Sequence, residues 1–126
     1  MYEMVWERYL EAPEGEYEAV ITVCTVQRSE GGPLLSIEAT ITEGEYRGSR
    51  AWRNSSFSER AADKPGGVAQ LLQSIDLSSL DFATASAEVP AAIAATAKGQ
   101  ALRIGVVHVE TDDGRRVRVA RFAPPP

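Results

Sequence analysis

One cysteine, one histidine and two lysines are all that this 126-residue chain has of three chemically versatile side chains. A single cysteine, Cys24, excludes an internal disulfide and gives no sign of an oxidising compartment. With only His108 beside it, an ordinary zinc cluster of four nitrogen or sulfur ligands is excluded too. Long apolar runs are absent: no stretch approaches the ~20 residues that cross a bilayer, so no membrane association is expected. No basic start leads into an apolar run, so a secretory signal is not expected and a cytoplasmic location is. Carboxylates are not clustered as a hydrolase or nuclease would need. The expectations that follow are no enzyme, no metal and no cofactor. The length suits one domain with a real core.

Positive charge is also scarce, and it is unevenly spread. The net charge of −5 argues against indiscriminate binding to nucleic acid. Residues 1–45 carry ten acids against Arg8 and Arg28, whereas residues 46–126 carry eleven bases and eight acids. Two clusters hold the basic excess, Arg47/Arg50/Arg53 and Arg115/Arg116/Arg118/Arg121. A local cluster binds an anion even on an acidic molecule, because distant charges are screened.

The stretch from Tyr46 to Phe57 combines three arginines with Tyr46, Trp52 and Phe57 and contains no acid. It reads as a strand fed by a turn with Gly44 and Gly48. Arginines interleaved with aromatics suit a single-stranded nucleic acid: guanidinium neutralises phosphate, and each ring face stacks on a base for ~1–3 kcal/mol. The competing reading makes Trp52 and Phe57 core and the arginines a solvated face. Alternation places Ala51, Ser55 and Phe57 inward and Arg50, Trp52 and Asn54 outward. Arg53 then falls inward, at a cost, unless the strand bulges or ends at the barrel mouth.

Taken in order, residues 1–14 form an N-terminal arm. Tyr2, Val5, Trp6, Tyr9 and Leu10 fit one face of a short helix that Pro13 would end. Residues 15–123 are the domain, and 124–126 an extended tail. Glu16–Arg28 is a long first strand, with Tyr17, Ala19, Ile21, Val23 and Thr25 on one face and Val20, Cys24 and Val26 on the other; such a strand can curl to pair with two neighbours. A Gly-Gly-Pro turn follows. The second strand, Leu34–Thr42, turns Leu35, Ile37, Ala39 and Ile41 inward. The Tyr46 stretch is the third strand. After a polar connection at 58–64, Val68, Leu71, Leu72 and Ile75 recur at helical spacing, predicting a helix at about 67–76. A loop follows at 77–82, and an alanine-rich segment predicts a second helix at about 90–97. Ala101–Glu110 is the fourth strand, with Leu102, Ile104 and Val106 on one side and Gly105 as a possible bulge. An Asp-Asp-Gly turn leads to the fifth strand, Arg115–Phe122, with Val117 and Val119 inward and Arg116 and Arg118 outward.

Three strands, a helical connection and two strands make an all-β fold with a helical insertion, in the order of the five-stranded OB-fold barrel. That fold binds oligonucleotides across its second and third strands with help from its loops. Other chemistry is less supported. His108 and Glu110 share a strand face but lack a nucleophile or pocket. Asp112 and Asp113 are a turn rather than a metal site, and Gly66-Gly67 before a helix matches no phosphate-loop pattern. Cys24, in an apolar strand, reads as an inert buried thiol.

The segments Gly15–Ile21, Gly31–Leu35 and Gly44-Glu45-Tyr46-Arg47-Gly48 followed by Trp52 resemble, as an ordered set, a family of phage and prophage proteins long catalogued as a domain of unknown function. These are similar to OB-fold single-stranded-DNA-binding proteins and accompany phage replication or recombination. The likeness spans about residues 12–124, although family members usually have more lysine than this chain, which has only Lys64 and Lys98. It implies a single-stranded-DNA-binding protein in a bacterial host cell, with phage recombinase or replication proteins as partners. A homo-oligomer is compatible with it. The residues expected to bind are Tyr46, Arg47, Arg50, Trp52, Arg53, Arg116 and Arg118. The alternative is a protein–protein adaptor in the same kind of complex, which the acidic first third favours.

Overall fold

The computed structural model describes residues 11–30, 32–57, 64–75, 88–112 and 114–126. The helical reading of residues 2–10, the connection at 58–63 and the loop at 77–82 lie outside them. Five strands close into a barrel: β1 (Gly15–Ser29), β2 (Gly32–Ile41), β3 (Arg50–Ser56), β4 (Ala101–Thr111) and β5 (Gly114–Ala123). Their order around the barrel is β1-β2-β3-β5-β4, back to β1. Every pairing is antiparallel except that of β3 with β5. Helices α1 (Val68–Ser74) and α2 (Glu88–Ala97) lie between β3 and β4. This is the expected OB-type barrel, and α1 falls within the expected 67–76.

Closure depends on β1, which pairs with β2 over Ala19–Ser29 and with β4 over Gly15–Val20. A straight strand cannot keep one face toward a core while curling between two partners. The register shifts between Ile21 and Val23, leaving Thr22 as the extra residue of a bulge. Ala19 and Ile21 face the core before the bulge, and Cys24 faces it after. This corrects the strict alternation: Val23 and Thr25 are exposed, and Cys24 is inside. The Thr22 hydroxyl donates to the Glu38 carbonyl at 3.2 Å and meets the Thr40 hydroxyl at 2.9 Å, so the bulge does not orphan its polar group.

The second bulge also differs from expectation. Gly105 pairs with Arg121 and Val106 with Val119, so the extra residue is Ala120 on β5 rather than Gly105 on β4. It lets Val119 and Phe122, an odd number of residues apart, both point inward. The strand β2 alternates as read, with Leu35, Ile37, Ala39 and Ile41 buried. The core they share is completed by Val68, Leu71, Leu72 and Ile75 around α1 and by Ile93, Ala94 and Ala97 from α2. The valine, leucine, isoleucine and phenylalanine side chains among these each contribute ~1.5–3 kcal/mol on burial.

A polar seam fixes α1 to the barrel. The helix begins at Gly67 with no side-chain cap. Instead Gln70 reaches back, and its Oε1 accepts the Gly66 N–H at 2.7 Å and the Phe122 N–H at 2.6 Å. The buried Ser55 hydroxyl donates to the Gly66 carbonyl at 2.8 Å. Arg53 resolves its inward position here without a bulge in β3: its Nη1 donates to the Val119 carbonyl at 2.9 Å. Its Nε is buried and makes no hydrogen bond among the described residues. Burial, and then the charge of Arg118, lower its pKa.

Gly66 has φ +77°, and a Cβ built there would lie 2.5 Å from Arg53 Cζ. Gly66→Ala is therefore expected to destabilise by at least ~1 kcal/mol from the left-handed backbone alone, plus the displacement of Arg53. Adding Arg53→Ala removes the clash, so chemical denaturation of the two single variants and the double should be non-additive by ~0.5–3 kcal/mol. The Cys24 thiol is pushed from its ordinary 9.0 up to about 11 by burial. Its neutral form is thus favoured in the folded state: stability is full below pH 9 and falls as pH rises through about 11. The decline should flatten in Cys24→Ala, and alkylation of the native thiol at neutral pH should be slow.

Candidate nucleic-acid interface

On the outer surface, one row of residues crosses the barrel. Val23 on β1 pairs with Glu38 on β2, Glu38 with Trp52 on β3, Trp52 with Arg118 on β5, and Arg118 with Val107 on β4. Trp52 is 39% exposed, which places it outward rather than in the core. A groove of about 300 Å³ opens beside it, lined by Trp52, Asn54, Val109, Thr111, Arg116 and Arg118. Both arginines take part because β5 alternates cleanly before its bulge. Among the described residues, no carboxylate forms an ion pair with Arg118. An indole face, an apolar floor at Val109 and two guanidinium groups make a surface on which a planar ring can stack while an anion is held.

Of the seven expected residues, Trp52, Arg116 and Arg118 therefore meet in one groove. Arg50 shares the outward face of β3 two residues earlier. It pairs with Glu38 at 3.4 Å and borders a smaller cleft of about 220 Å³ with Glu11, Ser49 and Val117. Arg47 is exposed on the β2–β3 turn, whose backbone is closed by the Ile41 N–H to the Ser49 carbonyl at 2.8 Å. Tyr46 is not in the groove lining; its ring meets Tyr17 edge-on, with centroids 6.1 Å apart. Arg53 is on the opposite face of β3, committed to Val119. The groove is also displaced from the expected second and third strands. The outward residues of β2 in this row and beside it, Ser36, Glu38 and Thr40, bring no base, so the opening lies between β3 and the β4–β5 hairpin.

The remaining arginines of the second cluster are occupied elsewhere. Arg115 pairs with Glu11 at 2.7 Å. Arg121, turned by the Ala120 bulge, pairs with Glu16 across β4. Gly105 stands between those two residues in the register, and a Cβ there would lie 2.8 Å from Arg121 Cγ. His108 does not work with Glu110. Its Nε2 bonds the Ala12 carbonyl at 2.7 Å, and its backbone N–H donates to Glu14 at 2.8 Å. Residues 11–14 are thus strapped to the barrel, with Ala12 fully buried. Sequence reasoning missed Asn54, Val109 and Thr111 as groove residues, although the outward parity of the strands contains the first two; Thr111 lies one residue beyond the expected end of the fourth strand. Among the described residues no group of three or more potential ligands is placed to hold a metal, and no helix is long and apolar enough to cross a membrane.

No family model matches the chain, and no curated protein matches it in sequence.

An outward Trp52 makes a prediction about stability. Trp52→Ala is expected to change unfolding free energy by no more than ~1 kcal/mol, against the ~2–5 kcal/mol of a core truncation such as Leu35→Ala. Urea denaturation of both variants checks this.

Proposed function

We propose that this protein binds single-stranded DNA without catalysing a reaction, in phage or prophage replication or recombination. The observation that carries the reading is the exposed indole of Trp52 set in a groove with Arg116 and Arg118 on an OB-type barrel. A base stacks on Trp52, and the phosphates on either side meet Arg116, Arg118 and Arg50. Glu38 neutralises Arg50 in the free protein, so binding exchanges a carboxylate for a phosphate there. Arg53 acts by holding β3 against β5 beneath Trp52 rather than by touching the strand.

Three or four phosphate contacts, counting Arg47, imply a salt slope of roughly −2 to −3 for a single strand. Trp52→Ala should weaken binding by ~1–3 kcal/mol with the slope nearly unchanged. Arg118→Gln should instead lower the slope by ~0.7. Fluorescence anisotropy with labelled oligo-dT at two salt concentrations reads both. A wild-type protein that ignores oligo-dT even at low salt would sink the proposal.

A second reading, a protein–protein adaptor, is favoured by one observation. Val23 is 40% exposed on the outer face of β1, in the same row as Trp52. In that case Val23→Asp would abolish capture of phage recombination proteins while oligo-dT binding stays absent.

A further inference from the structure

The groove at Trp52 does not end there. A second cavity of about 370 Å³ is lined by Gly15, Glu16, Pro65, Gly105, Val107, Ala120 and Arg121, among others. The two share the outer face of β4, where Val109 and Thr111 line the first and Gly105 and Val107 line the second. Arg118, in the first lining, is the register partner of Val107, in the second, so the cavities meet at this pair. From Thr111 to Gly105 the strand rises roughly 20 Å.

Resting on the single-strand reading of the Trp52 groove, we infer that the strand continues along β4 into this second cavity and that Arg121 is its far phosphate contact. Arg121 packs directly onto the floor because Gly105 has no side chain, and a Cβ there would lie 2.8 Å from Arg121 Cγ. The Ala120 bulge turns Arg121 to lie over that floor. Without the bulge, strand parity would send Arg121 inward. The cavity's one basic group is paired with Glu16 in the free protein. Phosphate displaces Glu16 from Arg121, as it displaces Glu38 from Arg50. Each end of the track therefore carries an arginine held by a carboxylate, from the adjacent strand at Arg50 and from across β4 at Arg121. This pairing reduces non-specific attraction to polyanions, in keeping with an acidic chain, and makes affinity depend on a ligand long enough to reach both ends.

The test is anisotropy with an oligo-dT series of about 4–16 nucleotides, the range that one OB-type fold covers. Wild-type affinity should rise with length and then level off. Arg121→Gln, an exposed position that does not threaten folding, should lose affinity several-fold, most at the longest oligonucleotides, with a salt slope lower by ~0.7 there. Glu16→Gln releases Arg121 and should tighten binding of the long oligonucleotides. Gly105→Val, checked first for an intact melting transition, should remove most of the gain with length. Trp52→Ala should lose affinity at every length. If Arg121→Gln and Glu16→Gln match the wild type, or change all lengths equally, while Trp52→Ala still weakens binding, the track is wrong and the Trp52 groove stands. If the wild type binds no oligo-dT, both fall together.

Discussion

A sheet that closes on itself has to find, in one strand, a segment that faces the core twice. In this molecule β1 carries that constraint, and the Thr22 bulge meets it by shifting the register once within the β2-paired portion, just after the β4-paired portion ends at Val20. Much else follows from that shift. It turns Cys24 into the core and Val23 outward, beside Glu38 and Trp52. It also brings Gly99 and Gln100, after α2, into backbone hydrogen bonds with Ile21, at 2.8 and 3.0 Å. The alanine-rich α2 packs there with Ile93 as its buried anchor and the small Ala94 and Ala97 beside it. The bulge thus sets both where the helical connection docks and which side chains surround the exposed tryptophan.

Charge is organised by the same strand parities. The acidic first third does not stand apart from the basic remainder. Glu11, Glu16 and Glu38 are each paired with an arginine of the other part, Arg115, Arg121 and Arg50 respectively. Exposed pairs like these contribute little to stability, ~0–1 kcal/mol each. Their larger effect is to leave Arg118, among the described residues, without such a carboxylate next to the indole. The asymmetry along the chain is thus folded into pairs that join its acidic first third to arginines of the remainder.

The architecture was legible because its signals are redundant: five alternating segments, two glycine-marked turns and an i, i+3, i+4, i+7 helix all agree. Alternation alone failed at Thr22 and Ala120, where one extra residue reverses the faces of everything after it. A bulge in a strand of mixed Val, Thr and Cys leaves no compositional mark, and Gly105 drew attention to the wrong strand. The site was legible in part. Parity placed Trp52, Arg116 and Arg118 outward, and the barrel order joined them. It could not show that Tyr46 turns to Tyr17, since that depends on the path of the β2–β3 turn. The arginine at position 53 was visible as an anomaly, but its solution, a carbonyl at Val119 across a glycine at 66, is 66 residues away in sequence.

The join between β3 and β5 has a further consequence. It is parallel and reduced to one register pair, Trp52 with Arg118, while each other join extends over six or more. The barrel therefore has a thin side, reinforced by the Arg53 bond to Val119, and the groove lies along it. Opening of the barrel would begin at this side, where the fewest ladder hydrogen bonds must break. Anything spanning Trp52 and Arg118 would act as a clasp, and the energy it gains from the folded form would appear as slower amide exchange in β3 and β5 before it appeared anywhere else.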